Sequence, residues 1–133
     1  MVTMTTLGWF AIAAGGALGA VARFAMSHHI YQWLGRDFAW GTLSVNVLGS
    51  FIMGFIAILL VDKLDASPEW RAFIMVGFLG AFTTFSTFSF ETMQYIQIGE
   101  FNKALFNMAI SLIGCLLAVW GGLMIGRYLF TTS

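Results

Sequence analysis

Four long apolar blocks divide this sequence, and they restrict the chain to folds that lie within a lipid bilayer. The blocks run approximately over residues 7–34, 40–61, 69–98 and 103–129. One helical crossing needs about 20 mainly apolar residues, so each block can span a membrane once. Of the 133 residues, 59% are hydrophobic and only 9% are charged, which is too little charge for a soluble domain. We therefore expect an all-α membrane protein, with residues 1–133 forming a single domain of four transmembrane helices.

The third block contains the most unusual run of the sequence, at residues 77–91. It reads Gly-Phe-Leu-Gly-Ala-Phe-Thr-Thr-Phe-Ser-Thr-Phe-Ser-Phe-Glu, so that phenylalanines alternate with hydroxyl residues. The block is longer than one straight crossing requires, and its centre is polar and rich in glycine. Non-helical backbone at membrane depth is tolerated only where protein buries it or where it lines a water-filled cavity. We predict that the third helix is broken near mid-membrane, within residues 77–84, beside a site for a small ion.

Polar residues recur at every fourth position in the second and fourth blocks, so each set shares one helix face. The second block carries Thr42, Asn46 and Ser50, and the fourth carries Asn107, Ser111 and Cys115. Such a face is either an interhelical hydrogen-bonding surface or the lining of a pore, in which amide and hydroxyl groups donate to an anion. Because neither stripe is suited to lipid, we predict a polar seam inside the assembly.

Two glycine pairs predict close packing of helices. Gly15 and Gly19 lie in the first block, and Gly122 and Gly126 lie in the fourth. Small residues four positions apart let two helix backbones approach closely. Arg23 follows Gly19 at the same spacing and therefore shares its face. Two roles are open for Arg23: it either extends to the membrane interface or faces an anion vestibule.

Glu91 is the only acid in the interior of a predicted span. Carboxylates inside a membrane are candidates for a functional role. Glu91 lies about 7 residues, or roughly 10 Å of helix, from the end of its block. An interfacial or structural role is therefore equally open.

Lysine and arginine are balanced between the two sides of the predicted membrane domain. Arg23, Arg36 and Lys103 lie on one side, and Lys63, Arg71 and Arg127 lie on the other. Because basic residues near helix ends set orientation, three against three gives no preference. We predict that the chain inserts in both orientations and pairs as an antiparallel homodimer; the alternative is one orientation fixed by other signals. Four helices of a single chain also enclose too little volume for a solvated path, which favours an oligomer.

Catalysis is not expected from this set of residues. The sequence has no pair of carboxylates, no Ser/His/Asp set and no phosphate-binding loop, and its one cysteine excludes a disulfide framework. The seam instead offers hydroxyls, amides and the positive edges of phenyl rings to an anion. Carbonyl groups released at a helix break would suit a small cation. No nucleic-acid partner is expected.

Three motifs resemble those of the Fluc (CrcB-type) fluoride channel family. They are Gly-Gly-Ala-Leu-Gly-Ala-Val-Ala-Arg at 15–23, Gly-Thr-Leu-Ser-Val-Asn at 41–46, and the run at 77–91. Length, the four blocks and the order of the motifs match along essentially the whole chain. The resemblance implies a dual-topology homodimer, multi-pass in the bacterial plasma (inner) membrane. Its two antiparallel pores would let cytoplasmic fluoride leave the cell passively, which lowers fluoride toxicity.

The resemblance also implies roles for individual residues. The fluoride pore would be lined by Asn46, Phe85 and Phe88, with a polar track formed by Thr42, Ser86, Thr87, Asn107 and Ser111. The family often carries Tyr and Ser at the positions of Asn107 and Cys115, so the fourth-helix end of this track departs from the family pattern.

Four further positions have implied roles outside the pore lining. Gly80 and Thr83 would give backbone carbonyls to a central structural Na+ at the dimer interface, Arg23 would lie near the vestibule, and Glu91 would match the family's third-helix acid.

Two other functions are open at this point. A small dual-topology exporter coupled to protons would have a similar size and charge balance, but it would need a central titratable acid, and Glu91 lies off-centre. A helper protein without a transport path would use its polar stripes only for assembly.

Overall fold

The structure, a computed structural model, describes residues 3–131, and all regular elements in that range are helical. The α-helices are α1 (Thr6–Leu34), α2 (Trp40–Ala57), α3 (Pro68–Arg71), α4 (Gly80–Phe82), α5 (Phe85–Gln97) and α6 (Phe101–Thr131). Two π-helical segments continue these helices: Ile58–Lys63 extends α2, and Ala72–Leu79 joins α3 to α4.

These elements form four spans that are long and apolar enough to cross a membrane. The spans are Thr6–Leu34, Trp40–Lys63, Pro68–Gln97 and Phe101–Phe130. Their ends lie within two residues of the predicted blocks. The prediction of an all-α fold with four membrane-spanning helices is confirmed.

The first span packs against the first half of the third span through the predicted glycine face. A side chain at Gly15 would collide with the carbonyl oxygen of Phe73, and one at Gly19 would collide with that of Phe78. The contact is reciprocal, because a Cβ on Gly77 would lie 2.8 Å from the carbonyl oxygen of Ile12. Only glycine permits backbones to approach this closely, as the spacing predicts.

The second span packs along α6 in the same manner. A side chain at Gly54 would collide with the Val119 carbonyl, and one at Gly122 would collide with the Phe51 carbonyl. A Cβ on Gly126 would lie 2.9 Å from Cβ of Ile58. The second predicted glycine pair is therefore also a site of close packing.

Helical structure is interrupted at Thr83 and Thr84, between α4 and α5. Both residues have extended backbone, with φ/ψ of −88°/158° and −151°/116°. The interruption is narrower than the range 77–84 named above, since Gly77 lies in the π-helical segment and Gly80 begins α4. The Leu79 carbonyl accepts both the Thr83 N–H, at 3.1 Å, and the Thr83 hydroxyl, at 3.0 Å. Thr83 therefore ends the first half of the span with its own polar groups.

Candidate functional site

Asn46 joins the second span to the interrupted backbone of the third. Its Oδ1 accepts the Thr84 N–H at 2.7 Å, and its Nδ2 donates to the Thr84 carbonyl at 3.0 Å. The amide thus satisfies both backbone groups of a residue that cannot bond within a helix. The polar face of the second span can be interpreted either as an interhelical hydrogen-bonding surface or as a pore lining. These two contacts are interhelical hydrogen bonds. One hydrogen of the NH2 group has no partner among the described residues, and Asn46 also lines a cavity.

Thr84 begins α5 as its N-cap. Its hydroxyl oxygen accepts the Thr87 N–H at 3.1 Å and donates to the Thr87 hydroxyl, also at 3.1 Å. The Ser86 hydroxyl lies 3.2 Å from the same oxygen. A threonine before the first helical turn is a favourable cap, because it satisfies an amide that the helix leaves without a partner. The hydroxyls of Ser86 and Thr87, which are predicted to belong to the polar track, therefore both contact the Thr84 hydroxyl.

A cavity of about 650 Å³ lies beside the interruption. Its wall combines polar residues, two phenyl rings and apolar side chains: Asn46, Ser50, Thr83, Thr84, Ser111 and Cys115; Phe85 and Phe88; and Met53, Met108, Leu112, Leu116 and Val119. The rings of Phe85 and Phe88 lie 5.4 Å apart at 48°, and 79% of Phe85 is exposed on the single chain. Predicted pore residues from three spans therefore meet on one wall, together with the positive end of the α5 helix.

A second cavity, of about 290 Å³, lies on the other side of Thr84. Its wall includes Arg23, Tyr31, Arg36, Thr42, Thr84, Thr87 and Glu91. Thr84 is shared by both cavity walls. The hydroxyls, the Asn46 amide and the phenyl rings therefore follow one another along adjacent cavities, which is the arrangement expected of a polar seam.

Glu91 faces the second cavity and is held by Thr42. The Thr42 hydroxyl donates to Glu91 Oε1 at 2.6 Å, and the Tyr31 hydroxyl lies 3.5 Å from Thr42 Oγ1. Glu91 Oε2 is buried and has no hydrogen-bond partner among the described residues. The carboxyl group is thus fixed by one oxygen, and its other oxygen is shielded within the protein.

Arg23 is half-buried on the same wall as Glu91, and so it faces the cavity along with Arg36. The Arg36 guanidinium lies 4.9 Å from the centre of the Tyr31 ring, within the range of a cation–π contact. Two cations thus share one cavity with one carboxylate.

Asn107 and Ser111 form part of a buried hydrogen-bond network between α5 and α6. The Ser111 hydroxyl donates to Asn107 Oδ1 at 3.4 Å, and Asn107 Nδ2 donates to the Thr92 hydroxyl at 2.9 Å. The Thr92 hydroxyl in turn donates to the Phe88 carbonyl at 2.8 Å. Asn107 is only 1% exposed and lines neither cavity, whereas Ser111 also reaches the larger one. Within a single chain, Asn107 links α6 to α5 by its hydrogen bond to Thr92.

Sequence reasoning named neither Thr84 nor Thr92 nor Tyr31 as a site residue. Thr84 is one of five hydroxyl residues in residues 83–89, and its hydrogen bonds to Asn46 and its capping of α5 distinguish it from the others. Thr92 lies four residues after Phe88, which is the spacing of a hydroxyl that bonds back to its own helix. That spacing was the one available signal for Thr92.

These features describe a multi-pass membrane protein in which polar side chains of several spans meet at two cavities. The sequence matches the family described as "CrcB-like protein, Camphor Resistance (CrcB)" over residues 10–123. It is 58% identical over 121 residues to the fluoride-specific ion channel FluC of Hydrogenovibrio crunogenus, covering 91% of this chain and 92% of the relative. It is 53% identical to that of Magnetococcus marinus, covering 87% and 94% of the two chains, and 45% identical to that of Geobacter sulfurreducens, covering 95% and 100%. The chain belongs to the CrcB family.

Proposed function

We propose that this protein is a fluoride-selective channel that lets cytoplasmic fluoride leave the cell passively and so lowers fluoride toxicity. The family is one of fluoride channels, and the protein is not an enzyme. The proposal rests on Thr84, which lines two cavities. The larger one brings hydroxyls, the Asn46 amide and two phenyl rings together beside apolar side chains, and the smaller one holds hydroxyls, two arginines and Glu91. Fluoride would follow this polar path beside the interrupted helix.

The donors on these walls suit a small anion that holds its water tightly. The second hydrogen of the Asn46 amide, the hydroxyl of Thr87 and the first turn of α5 can replace water one contact at a time. The Ser111 hydroxyl would first have to leave Asn107, to which it donates in the single chain. The positive edges of Phe85 and Phe88 extend this set, since a phenyl ring attracts anions at its edge. Arg23 and Arg36 would raise the local concentration of anions at the mouth.

A structural sodium ion would be held by the backbone carbonyls of Gly80 and Thr83. In an uninterrupted α-helix these carbonyls would accept the N–H groups of Thr84 and Thr87. Here those N–H groups donate to Asn46 Oδ1 and to the Thr84 hydroxyl instead. The two carbonyls are therefore free of their helical partners, and hard oxygen atoms of this kind suit Na+. The carbonyl oxygens would coordinate this ion in place of the missing N–H donors, and the ion would stay bound while fluoride moves.

The assembly we propose is an antiparallel dual-topology homodimer with two pores. Gly80 is exposed on the single chain, as a ligand shared between two copies would have to be. Two antiparallel chains would bring their interruptions together if each break lies near mid-membrane, as we propose. The balanced lysine and arginine count gives no preference for either orientation. A bacterial plasma membrane is the location that we propose for this multi-pass protein.

Fluoride efflux from proteoliposomes tests this function. Purified protein in potassium fluoride vesicles should release fluoride to an external electrode when valinomycin lets potassium follow, and should release little without it. Dependence on a potassium pathway shows that efflux carries net charge, which excludes electroneutral cotransport of fluoride with a proton. Exchange of fluoride for a proton also carries net charge, and proton uptake during efflux, followed with a pH electrode, distinguishes it from a passive channel. Efflux that ignores valinomycin, or efflux that is coupled to proton movement, would contradict the proposal.

A further inference from the structure

The side chains of Asn46 and Thr84 have a role toward the cation that neither the family match nor the relatives' names assign. We infer that these two side chains create the sodium site by taking away the hydrogen bonds that would otherwise occupy its ligands. They are positioning residues, since neither is required to touch the ion. The inference rests on the sodium site of the proposed function and explains why that site exists in this sequence.

Asn46 releases the carbonyl of Gly80. This carbonyl would accept the Thr84 N–H if the helix continued. Asn46 Oδ1 takes that N–H at 2.7 Å, and Asn46 Nδ2 occupies the Thr84 carbonyl at 3.0 Å. Both polar groups of the extended residue are thereby satisfied by a side chain from another span. Without Asn46 they would be unpaired inside the membrane domain, and closing the helix onto Gly80 would be the way to satisfy the N–H.

The Thr84 hydroxyl releases the carbonyl of Thr83. This carbonyl would accept the Thr87 N–H in a continuous helix. The Thr84 hydroxyl takes that N–H at 3.1 Å as the N-cap of α5. The Thr83 N–H and hydroxyl both bond to Leu79, so the end of the preceding half is also satisfied without Gly80. The hydrogen bonds from the Thr84 N–H to Asn46 and from the Thr87 N–H to the Thr84 hydroxyl thus release the two carbonyls proposed to bind the ion.

The same geometry joins the cation site to the anion path. Asn46 and Thr84 line the larger cavity together with Phe85 and Phe88. A change that closes the helix at Thr84 would therefore alter both the ion's ligands and the cavity wall. Loss of flux alone would not identify the cause, so the test must measure sodium directly.

The experiment measures sodium binding by the purified, fluoride-free protein in detergent. The melting temperature is recorded as NaCl replaces N-methylglucamine chloride at constant ionic strength, and sodium bound per chain is measured by atomic emission after desalting. A ligand that binds only the folded state raises the melting temperature according to its affinity. We expect the wild type to show a sodium-specific rise and one bound ion per two chains.

Asn46→Leu and Thr84→Val should each raise the half-saturating sodium concentration roughly tenfold or more, because one competing hydrogen bond returns in each copy. Thr84→Ser keeps the capping hydroxyl and should retain the wild-type value. Ser44→Ala is the control on α2, since among the described residues the Ser44 hydroxyl bonds only to the Trp40 carbonyl of its own helix, at 2.7 Å.

Each outcome decides one question. Equal sodium affinity in the wild type, Asn46→Leu and Thr84→Val would overturn the inference and leave the sodium site intact. If the wild type binds no sodium, the proposed site itself is wrong and the inference falls with it, whereas fluoride efflux would still test the channel. If Asn46→Leu does not fold, the comparison of Thr84→Val with Thr84→Ser still decides the matter.

Discussion

Replacing Asn107 by leucine should weaken the fold while leaving the fluoride path in place. Asn107 is buried, and its one hydrogen bond between helices joins Nδ2 to the Thr92 hydroxyl at 2.9 Å. Its contact with Ser111 lies within α6 and is longer, at 3.4 Å. Hydrogen bonds between membrane helices contribute about 0.6 kcal/mol on average and about 1.7 kcal/mol at most. Leucine has a similar size, so we expect a loss of unfolding free energy of about 1 kcal/mol, set mainly by this one bond.

A double-mutant cycle with Thr92→Val measures the bond itself. The free energy of unfolding is determined for the wild type, both single variants and the pair, in mixed micelles with denaturant. We expect a coupling energy of about 0.6–1.7 kcal/mol, since both variants remove the same bond. Fluoride efflux by Asn107→Leu should stay within a fewfold of the wild type. Strictly additive effects would show that the Asn107–Thr92 bond does not stabilise the fold. A large loss of flux at unchanged stability would instead make Asn107 a pore donor.

Three further predictions follow from the site and the packing. Phe85→Ile and Phe88→Ile should each impair fluoride efflux while the dimer stays intact on size exclusion, because they keep apolar bulk and remove the positive ring edge; unchanged efflux in both would make these rings packing residues. Gly15→Ala should destabilise the protein by about 1–3 kcal/mol, because its Cβ would meet the Phe73 carbonyl, whereas Gly114→Ala is the matched control, with a Cβ only in ordinary contact at 3.5 Å from Val47. Tags at the C-terminus should report both sides of the membrane in one preparation, because basic residues are balanced; a single-sided result would exclude dual topology.

The four spans and the glycine contacts could be predicted from the sequence because bilayer thickness and helix geometry act locally. Hydrocarbon thickness fixes how many apolar residues a span needs, and a four-residue spacing fixes which residues share a face. These two rules placed the spans to within two residues and identified Gly15, Gly19 and Gly122 as contact points. They also placed Asn46 on a polar face, but not opposite any particular partner.

The partners themselves could not be predicted, because they depend on how the spans pack. Asn46 meets Thr84 across 38 positions of sequence, and Thr42 meets Glu91 across 49. Thr83 and Thr84 are chemically identical neighbours, yet one ends a helix and the other begins the next. The sequence likewise placed Asn107 on the same stripe as Ser111, although only Ser111 reaches a cavity wall.

Unitary currents in a planar lipid bilayer test the central claim most directly. The purified protein should give discrete openings in fluoride solutions on both sides. With a tenfold fluoride gradient and no other permeant ion, the current should reverse at about 59 mV in magnitude, the value for a single charge. Replacing fluoride by chloride on one side should leave the reversal potential under fluoride control. Absence of currents from protein that still moves fluoride, or equal conduction of chloride, would contradict a passive fluoride-selective channel.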